Sequence, residues 1–263
     1  MAVLKGSRDM KPTFLEYEKP LLTAMLKQVT PEGVMKEMEH ALEEGAEAFG
    51  LQTENFKRTY HKPEVWKEVF AAAQGKPLYV TNYKMVENID LSYEELAEEL
   101  LTYPDYGATL CDVMGDMFCK HPEELTDNEE AIEKQMKVID ALHQKGAEVI
   151  MSSHVNKFIS AERVLEIALE HQRRGADISK IVAAANTMQE QIENLRITTL
   201  LKEKLDIPFL FLSGGEECRL HRRIGIKLGC CMSLCVSETE GNPNNPQPLI
   251  REQKLLRDEI KWS

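Results

Sequence analysis

Short apolar runs alternate with amphipathic helical segments from Pro20 to the end of the chain, and this alternation constrains the fold most. The pattern contains about eight strand–helix repeats of roughly 30 residues each, a spacing typical of βαβ units. Several runs are apolar on both faces, which predicts strands covered by helices. The sequence therefore predicts an α/β protein with a single (β/α)8 TIM barrel, and an open doubly wound sheet is the alternative.

Local signals divide the chain into a short extension and one barrel. Residues 1–18 are predicted to be an N-terminal extension or hairpin that closes one end of the barrel, and residues 19–263 to be the barrel itself. Thr30 before Pro31 and the Ser92–Glu95 capping box predict helix starts. The predicted strands begin near Leu21, Ala46, Pro77, Ala108, Glu148, Lys180, Pro208 and Cys230.

Charge and composition exclude several classes of partner. A net charge of −12 argues against nucleic acid, because phosphate binding needs a basic face. No run approaches the roughly 18 apolar residues of a membrane span, and no apolar stretch of a signal peptide follows Met1. Six cysteines without a paired CxxC pattern, and histidines without ligand spacing, predict a reduced cytoplasmic protein with no metal site.

Two polar residues mark one βαβ unit as the candidate reaction centre. An apolar run from Glu148 to Met151 ends in Ser152-Ser153-His154, and after a helical segment Lys180 opens the next apolar run. Neighbouring parallel strands lie about 5 Å apart, so the two side chains are expected to meet at the carboxyl end of the sheet.

A lysine and a histidine in this arrangement suit carbonyl chemistry. Burial favours the neutral amine, which attacks a ketone to form an iminium and acidifies the adjacent carbon. Imidazole titrates near neutral pH and can shuttle the protons. The alternatives are that Lys180 starts its strand and reaches solvent, and that His154 merely ends one.

The two motifs together resemble a known family. The segments Val149–His154 and Ala176–Ile181 are similar to the V-x-M-S-x-H strand and the following D-I-x-K-I strand of type I 3-dehydroquinate dehydratases. Leu212-Ser213 followed by Arg222, and Pro246-Gln247, resemble that family's seventh repeat and final substrate loop. The resemblance implies a (β/α)8 barrel, a Schiff-base dehydratase of the shikimate pathway and a small keto-acid substrate. It implies no metal or organic cofactor, and it is compatible with a homodimer.

The resemblance also implies a role for each site residue. Lys180 would form the imine, His154 would move protons, and Glu87 would orient His154. Arg222 would hold the substrate carboxylate, and Gln247 would close over the substrate. The remaining predicted substrate contacts are Asp112, Ser213, Tyr83 and Gln52.

The chain departs from the family pattern where substrate is gripped. A glutamate and an arginine of the family's second strand correspond here to Gly50 and Gln52, and the arginine that ends the third strand is replaced within Thr81-Asn82-Tyr83. Met114 and Pro243 stand where the family has an acidic residue and a serine. A retargeted imine-forming lyase or aldolase, or a non-catalytic barrel that binds a keto acid, are therefore alternatives to dehydration of 3-dehydroquinate.

Overall fold

One parallel sheet of eight strands forms the centre of the computed structural model, which describes residues 12–238 and 245–259. The order is β7-β6-β5-β4-β3-β2-β1-β8, and the Cys231 amide donates to Phe209 O (2.9 Å) across the remaining gap. The sheet is thus a nearly closed barrel, and the predicted (β/α)8 fold is confirmed. The strands are β1 Leu21–Leu26, β2 Ala48–Gln52, β3 Leu78–Thr81, β4 Leu110–Met114, β5 Glu148–Val155, β6 Ile178–Ala184, β7 Phe209–Gly214 and β8 Met232–Cys235.

A helix follows each strand within the described ranges, and the first and third helices begin at the predicted caps. Thr30 Oγ1 accepts from the Gly33 amide, and Ser92 and Thr187 each form a capping box. The fourth helix is capped by Asn128, whose side chain accepts from the Ala131 amide. The helices are α1 Pro31–Glu44, α2 Pro63–Ala71, α3 Tyr93–Leu100, α4 Glu129–Gln144, α5 Ala161–Arg173, α6 Met188–Lys204, α7 Arg219–Leu228 and α8 Ile250–Asp258.

Strand alternation divides the core into two layers. On β1, Leu22, Ala24 and Leu26 belong to the cluster that contains the α1 residues Val34 and Met38. Met25 has the opposite parity and packs with Tyr79 of β3 in the barrel interior. Because side chains alternate across a strand, the same parity decides which polar residues can reach the interior.

The chain before β1 lies against the amino-terminal end of β5. Phe14 is buried, and its amide donates to Glu148 Oε2 (2.8 Å). Residues 1–11 lie outside the described residues, so the division of the chain at residue 18 stays a prediction. No helix within residues 12–238 and 245–259 is long and apolar enough to cross a lipid bilayer.

Candidate active site

Lys180 lies in the barrel interior, held by three polar partners. The β5–β6 register sets it opposite Ser152, so both point inward. The residue is only 4% exposed, and its Nζ donates to Tyr83 Oη (2.7 Å), to Tyr79 Oη (2.9 Å) and to Asp112 Oδ2 (3.3 Å). The prediction that this lysine points inward is confirmed, and the solvent-reaching alternative is wrong.

Asp112 is the centre of this network, which we call the lysine cage: Lys180, Asp112, Tyr79 and Tyr83. Asp112 Oδ2 accepts from both tyrosine hydroxyls, and Oδ1 accepts from Ser152 Oγ (2.5 Å). Burial first, and then the Asp112 carboxylate, hold the pKa of Tyr79 and of Tyr83 well above the usual range. Both phenols therefore stay protonated and donate to Asp112 while they accept from Lys180.

His154 occupies the next inward position of β5, about 7 Å further along the strand than Ser152. Its Nδ1 lies 2.7 Å from Glu124 Oε2, and its backbone amide donates to the same oxygen (2.8 Å). Its ring meets the ring of Tyr83 edge-on, with centroids 5.4 Å apart. Within the described residues Nε2 has no protein partner, which leaves it available to a ligand.

A cavity of about 550 Å³ opens beside His154 at the carboxyl ends of the strands. Tyr83, and not Lys180, contributes to its wall. Since Tyr83 contacts both Lys180 and His154, its side chain separates the buried amine from the cavity.

Two predicted site residues are wrong in position. Glu87 lies exposed on the 3-10 helix Val86–Asn88, and the carboxylate beside His154 Nδ1 belongs to Glu124. Ser213 points outward, because Leu212 takes the inward parity at that end of β7. Its Oγ accepts from Asn194 Nδ2 (2.9 Å) and bonds to His221 Nδ1 (2.7 Å), so it joins the strand to the helix layer.

Arg222 and Gln247 lie outside the lining of this cavity, so their substrate roles stay predictions. Arg222 Nε donates to Ser213 O (2.7 Å), and burial lowers the pKa of this guanidinium. Gln247 is half-buried, and its buried Oε1 has no hydrogen-bond partner among residues 12–238 and 245–259. Gln52 does line the cavity, and its Nε2 donates to Glu54 Oε1 (3.4 Å).

The ends of β2 and β3 are packed with buried residues, and none of their charged groups is exposed. A Cβ placed on Gly50 would lie 2.3 Å from Met25 Sδ, so Met25 occupies the space that a larger residue would need. Glu54 is buried and accepts from Thr81 Oγ1 (2.9 Å). Burial raises the pKa of Glu54 to about 7.

Sequence reasoning missed Tyr79 and Glu124. Tyr79 could have been predicted from the sequence. It lies on β3 opposite Leu110 of β4, and strand alternation makes both point inward, as Asp112 does. Glu124 lies in the irregular connection between β4 and α4, where no periodic signal indicates the direction of a side chain. Across residues 12–238 and 245–259, no group of three or more His, Cys, Asp or Glu side chains is placed to hold a metal ion.

The barrel, with a buried lysine and a histidine on neighbouring strands, defines a class: a (β/α)8-barrel protein whose candidate active site lies at the carboxyl ends of its strands. Comparison with known families makes the assignment specific. The model of the type I 3-dehydroquinase family matches residues 114–255, more than half of the chain, and the chain belongs to this family. It is thus a lyase of the dehydratase type.

Individual relatives agree with this family. A 3-dehydroquinate dehydratase from Geobacillus thermodenitrificans is 23% identical over 271 residues, which cover all of both chains. One from Alkaliphilus oremlandii is 30% identical over 108 residues, 40% of this chain and 42% of that protein. A crystal structure of type I 3-dehydroquinate dehydratase from Clostridium difficile, with covalently modified comenic acid, has a TM-score of 0.77 at 18% identity and covers 92% of each chain.

Proposed function

We propose that this protein dehydrates a hydroxy-keto acid through an imine on Lys180, in the shikimate pathway. The compound in its relatives' names, 3-dehydroquinate, is the first candidate substrate. One observation carries the proposal. Lys180 is buried opposite Ser152, and the next inward residue of β5 is His154, whose Nε2 is available to a ligand. Tyr83 contacts both Lys180 and His154.

The lysine cage suits a nucleophilic amine. The Lys180 ammonium must lose a proton before it attacks a carbonyl, and the Asp112 carboxylate lies within hydrogen-bond distance to receive it. Attack and loss of water then give an iminium that withdraws electrons from the neighbouring carbon. The two buried hydroxyls of Tyr79 and Tyr83 keep bulk water away from Nζ.

His154 supplies the proton transfers. As a base it takes the proton from the carbon next to the iminium, and as an acid it returns that proton to the departing hydroxyl. The same group then assists water in hydrolysing the product imine, which regenerates the Lys180 amine. Arg222 and Gln247 would bind the substrate carboxylate and a hydroxyl from the far side of the barrel mouth. The Oε1 of Gln247 has no partner within the part of the chain that the structure describes, which supports this role.

Reduction of a trapped imine tests the proposal. The protein is incubated with 3-dehydroquinate and borohydride, and the adduct is located by mass spectrometry of peptides. We expect the substrate-derived mass on Lys180, its loss in Lys180→Met, and its retention in the control Lys157→Met. The control lysine is exposed and lies just beyond β5. An adduct that survives in Lys180→Met contradicts the proposal.

The alternative to the imine mechanism is a barrel that binds a keto acid without forming an adduct on Lys180. It is favoured by the three acceptors that already occupy the Lys180 ammonium and by Tyr83, which covers it. In that case a keto acid would bind, as judged by calorimetry, without an adduct on Lys180 and without formation of a dehydrated product. Product formation rejects this candidate.

We also propose a cytoplasmic enzyme that needs neither nucleic acid nor membrane, and a homodimer. Six unpaired cysteines, five of them buried, support the reducing compartment. Light scattering of the purified protein measures the oligomeric state, and a monomeric mass at micromolar concentration contradicts the dimer.

A further inference from the structure

One wall of the cavity beside His154 is apolar and built from side chains that the mechanism does not use. Met85 is 47% exposed and Ile89 is 56% exposed, although both are large hydrophobic residues. Met114 and the ring of Tyr93 continue the wall into the barrel mouth. Exposed apolar groups that line a concave site next to the reacting residues indicate a ligand with apolar surface.

The loop that carries this wall is held in place. Lys84 Nζ donates to Ile89 O (3.2 Å) and also to Leu91 O, so the lysine binds the loop's own carbonyls. Val86 adopts a left-handed backbone (φ 50°), which a β-branched residue rarely does and which the surrounding contacts must impose. The outward presentation of Met85 and Ile89 is thus specified by the loop.

The apolar wall of the cavity offers few groups that could form hydrogen bonds with the hydroxyls of a polyhydroxylated ring. Met25 occupies the space above Gly50, and the cavity side chain at the end of β4 is Met114. A hydroxyl placed against Met114 loses water without gaining a partner from that side chain, whereas Gln52 and Asn156 supply the uncharged polar groups of the lining. The charged side chains that line the cavity are of both signs: Asp116 and Glu124 are acidic, and Lys84 and Lys120 are basic.

We propose that the substrate of this imine site is a hydroxy-keto acid that also carries an apolar chain or ring, seated against Met85, Ile89 and Met114. Its carboxylate points to the opposite side of the mouth, where the proposed function places Arg222. The inference rests on the proposed imine function and specifies its substrate class. A single added methylene in an apolar pocket is worth roughly 10-fold or more in selectivity, so the effect is measurable.

Imine trapping on Lys180 provides the test. Borohydride reduction is titrated with pyruvate, 4-methyl-2-oxopentanoate, phenylpyruvate and 3-dehydroquinate, and the concentration for half-maximal adduct is measured. We expect a value at least ten-fold lower for an apolar keto acid than for pyruvate or 3-dehydroquinate. Ile89→Asn should remove that advantage, so that the half-maximal concentrations for the apolar keto acid and for pyruvate differ less than two-fold. The control Met136→Gln, an exposed methionine of α4 outside the cavity lining, should change neither.

The outcomes separate this inference from the proposed function. Efficient trapping of 3-dehydroquinate with weaker trapping of the apolar keto acids overturns the apolar substrate and leaves the imine chemistry standing. An apolar advantage that survives Ile89→Asn and Met114→Gln also overturns it. Absence of any Lys180 adduct with all four compounds overturns the proposed function.

A separate observation concerns Glu124, whose backbone is also left-handed (φ 46°). Its Oε2 lies 2.7 Å from His154 Nδ1 and accepts from the His154 amide (2.8 Å). Its carbonyl accepts from Ser153 Oγ (2.6 Å), whose oxygen lies 3.0 Å from His171 Nε2. A Cβ on Gly115 would lie 2.3 Å from that carbonyl, so only glycine allows the approach. The strained residue is thus held on both sides.

We infer that Glu124 is the positioning residue of His154. Because the carboxylate only accepts hydrogen bonds, it selects the tautomer with the proton on Nδ1 and directs the lone pair of Nε2 toward the cavity. The connection between β4 and α4 therefore supplies the carboxylate that the sequence assigned to Glu87.

The tautomer of His154 is the readout that a merely structural role would not move. Nitrogen NMR of labelled protein should show the proton on Nδ1 in wild type and in the control Glu87→Ala, and a mixture of tautomers in Glu124→Ala. We expect kcat to fall roughly 10- to 100-fold in Glu124→Ala with little change in KM, and Glu124→Gln to recover part of it. An unchanged tautomer in Glu124→Ala, or a changed one in Glu87→Ala, overturns the inference.

Discussion

The carboxyl ends of β4 to β6 and those of β2 and β3 face the same barrel mouth but are built differently. The β4–β6 sector contains Asp112, His154 and Lys180, each bonded to a polar partner. The β2–β3 sector contains Gly50 beneath Met25, and its one carboxylate, Glu54, is buried. The first sector carries groups that react, whereas the second determines which molecule can lie beside them.

Physical chemistry explains why the two sectors tolerate change differently. In the lysine cage each group is a partner of at least one other, so that removing one leaves a buried donor or acceptor unpaired. On the other side, apolar side chains fill space next to an open cavity, and they can be exchanged at the cost of shape alone. The reactive groups and the apolar wall can therefore be changed separately, although Tyr79 and Tyr83 of the cage come from β3 and the segment after it, and Met114 of the wall ends β4.

The largest effect is expected from the reactive sector, at His154. Replacing it with alanine should lower kcat by roughly 10²- to 10⁴-fold, because proton transfer loses its acid and base. Adduct formation on Lys180 should persist at a lower rate, since the amine and its cage remain. Steady-state kinetics and borohydride trapping measure the two effects, and an unchanged kcat would remove His154 from the reaction.

The two sectors should also respond oppositely to pH. Burial lowers the pKa of His171, behind β5 and β6, to about 3, and raises that of Glu54 to about 7. Below about pH 6.5 the unfolded chain protonates His171 while the folded chain does not, so stability falls as pH falls. Between about pH 4.5 and 7 the folded chain retains the Glu54 proton that the unfolded chain has lost, so stability falls as pH rises.

Urea unfolding from pH 4.5 to 8 measures both contributions. In His171→Gln, the free energy of unfolding should fall less as the pH drops below about 6.5. In Glu54→Gln, it should fall less as the pH rises from about 4.5 to 7. Each difference from wild type should amount to a few kcal/mol at most. Slopes are compared rather than absolute stabilities, because each substitution has its own packing cost. Parallel profiles for wild type and both variants would contradict the assignment of these two groups.

Gly50→Glu tests whether the β2–β3 sector can regain a substrate-binding carboxylate. We expect a loss of about 1–3 kcal/mol in the free energy of unfolding, because the new side chain meets Met25. Turnover of 3-dehydroquinate should not improve. In the double variant Gly50→Glu with Met25→Ala, the loss in unfolding free energy should be smaller than the sum of the losses in the two single variants. If the losses simply add, the clash between the two side chains is not the cause.

The smallest effect separates the two tyrosines of the lysine cage. Tyr79→Phe should cost about 1–2 kcal/mol of unfolding free energy, since Tyr79 is fully buried and no water can replace its hydroxyl. Tyr83→Phe should cost less, because Tyr83 borders the cavity. Urea unfolding at one pH compares the two, and a larger cost for Tyr83→Phe would mean that the cage is not closed at Tyr79.

Individual residues show where sequence reasoning succeeded. Lys180 and His154 lie in one βαβ unit, so their proximity followed from the pairing of neighbouring strands. Ser213 was wrongly predicted to face the substrate. Leu210 lies opposite the inward Lys180, so Leu210 and Leu212 point into the barrel and Ser213 points toward the helices. Glu87 was assigned by resemblance, and its 3-10 helix turns it to solvent.

The amino-acid sequence by itself determined the barrel, the strand and helix order, and the inward lysine, because these depend on local periodicity and on pairing between successive strands. Only the tertiary structure decided that Glu124 meets His154, that Tyr83 covers Lys180 and that Met25 fills the space at Gly50. Those contacts join segments distant along the chain, and their geometry depends on loop paths and side-chain packing that no local pattern encodes.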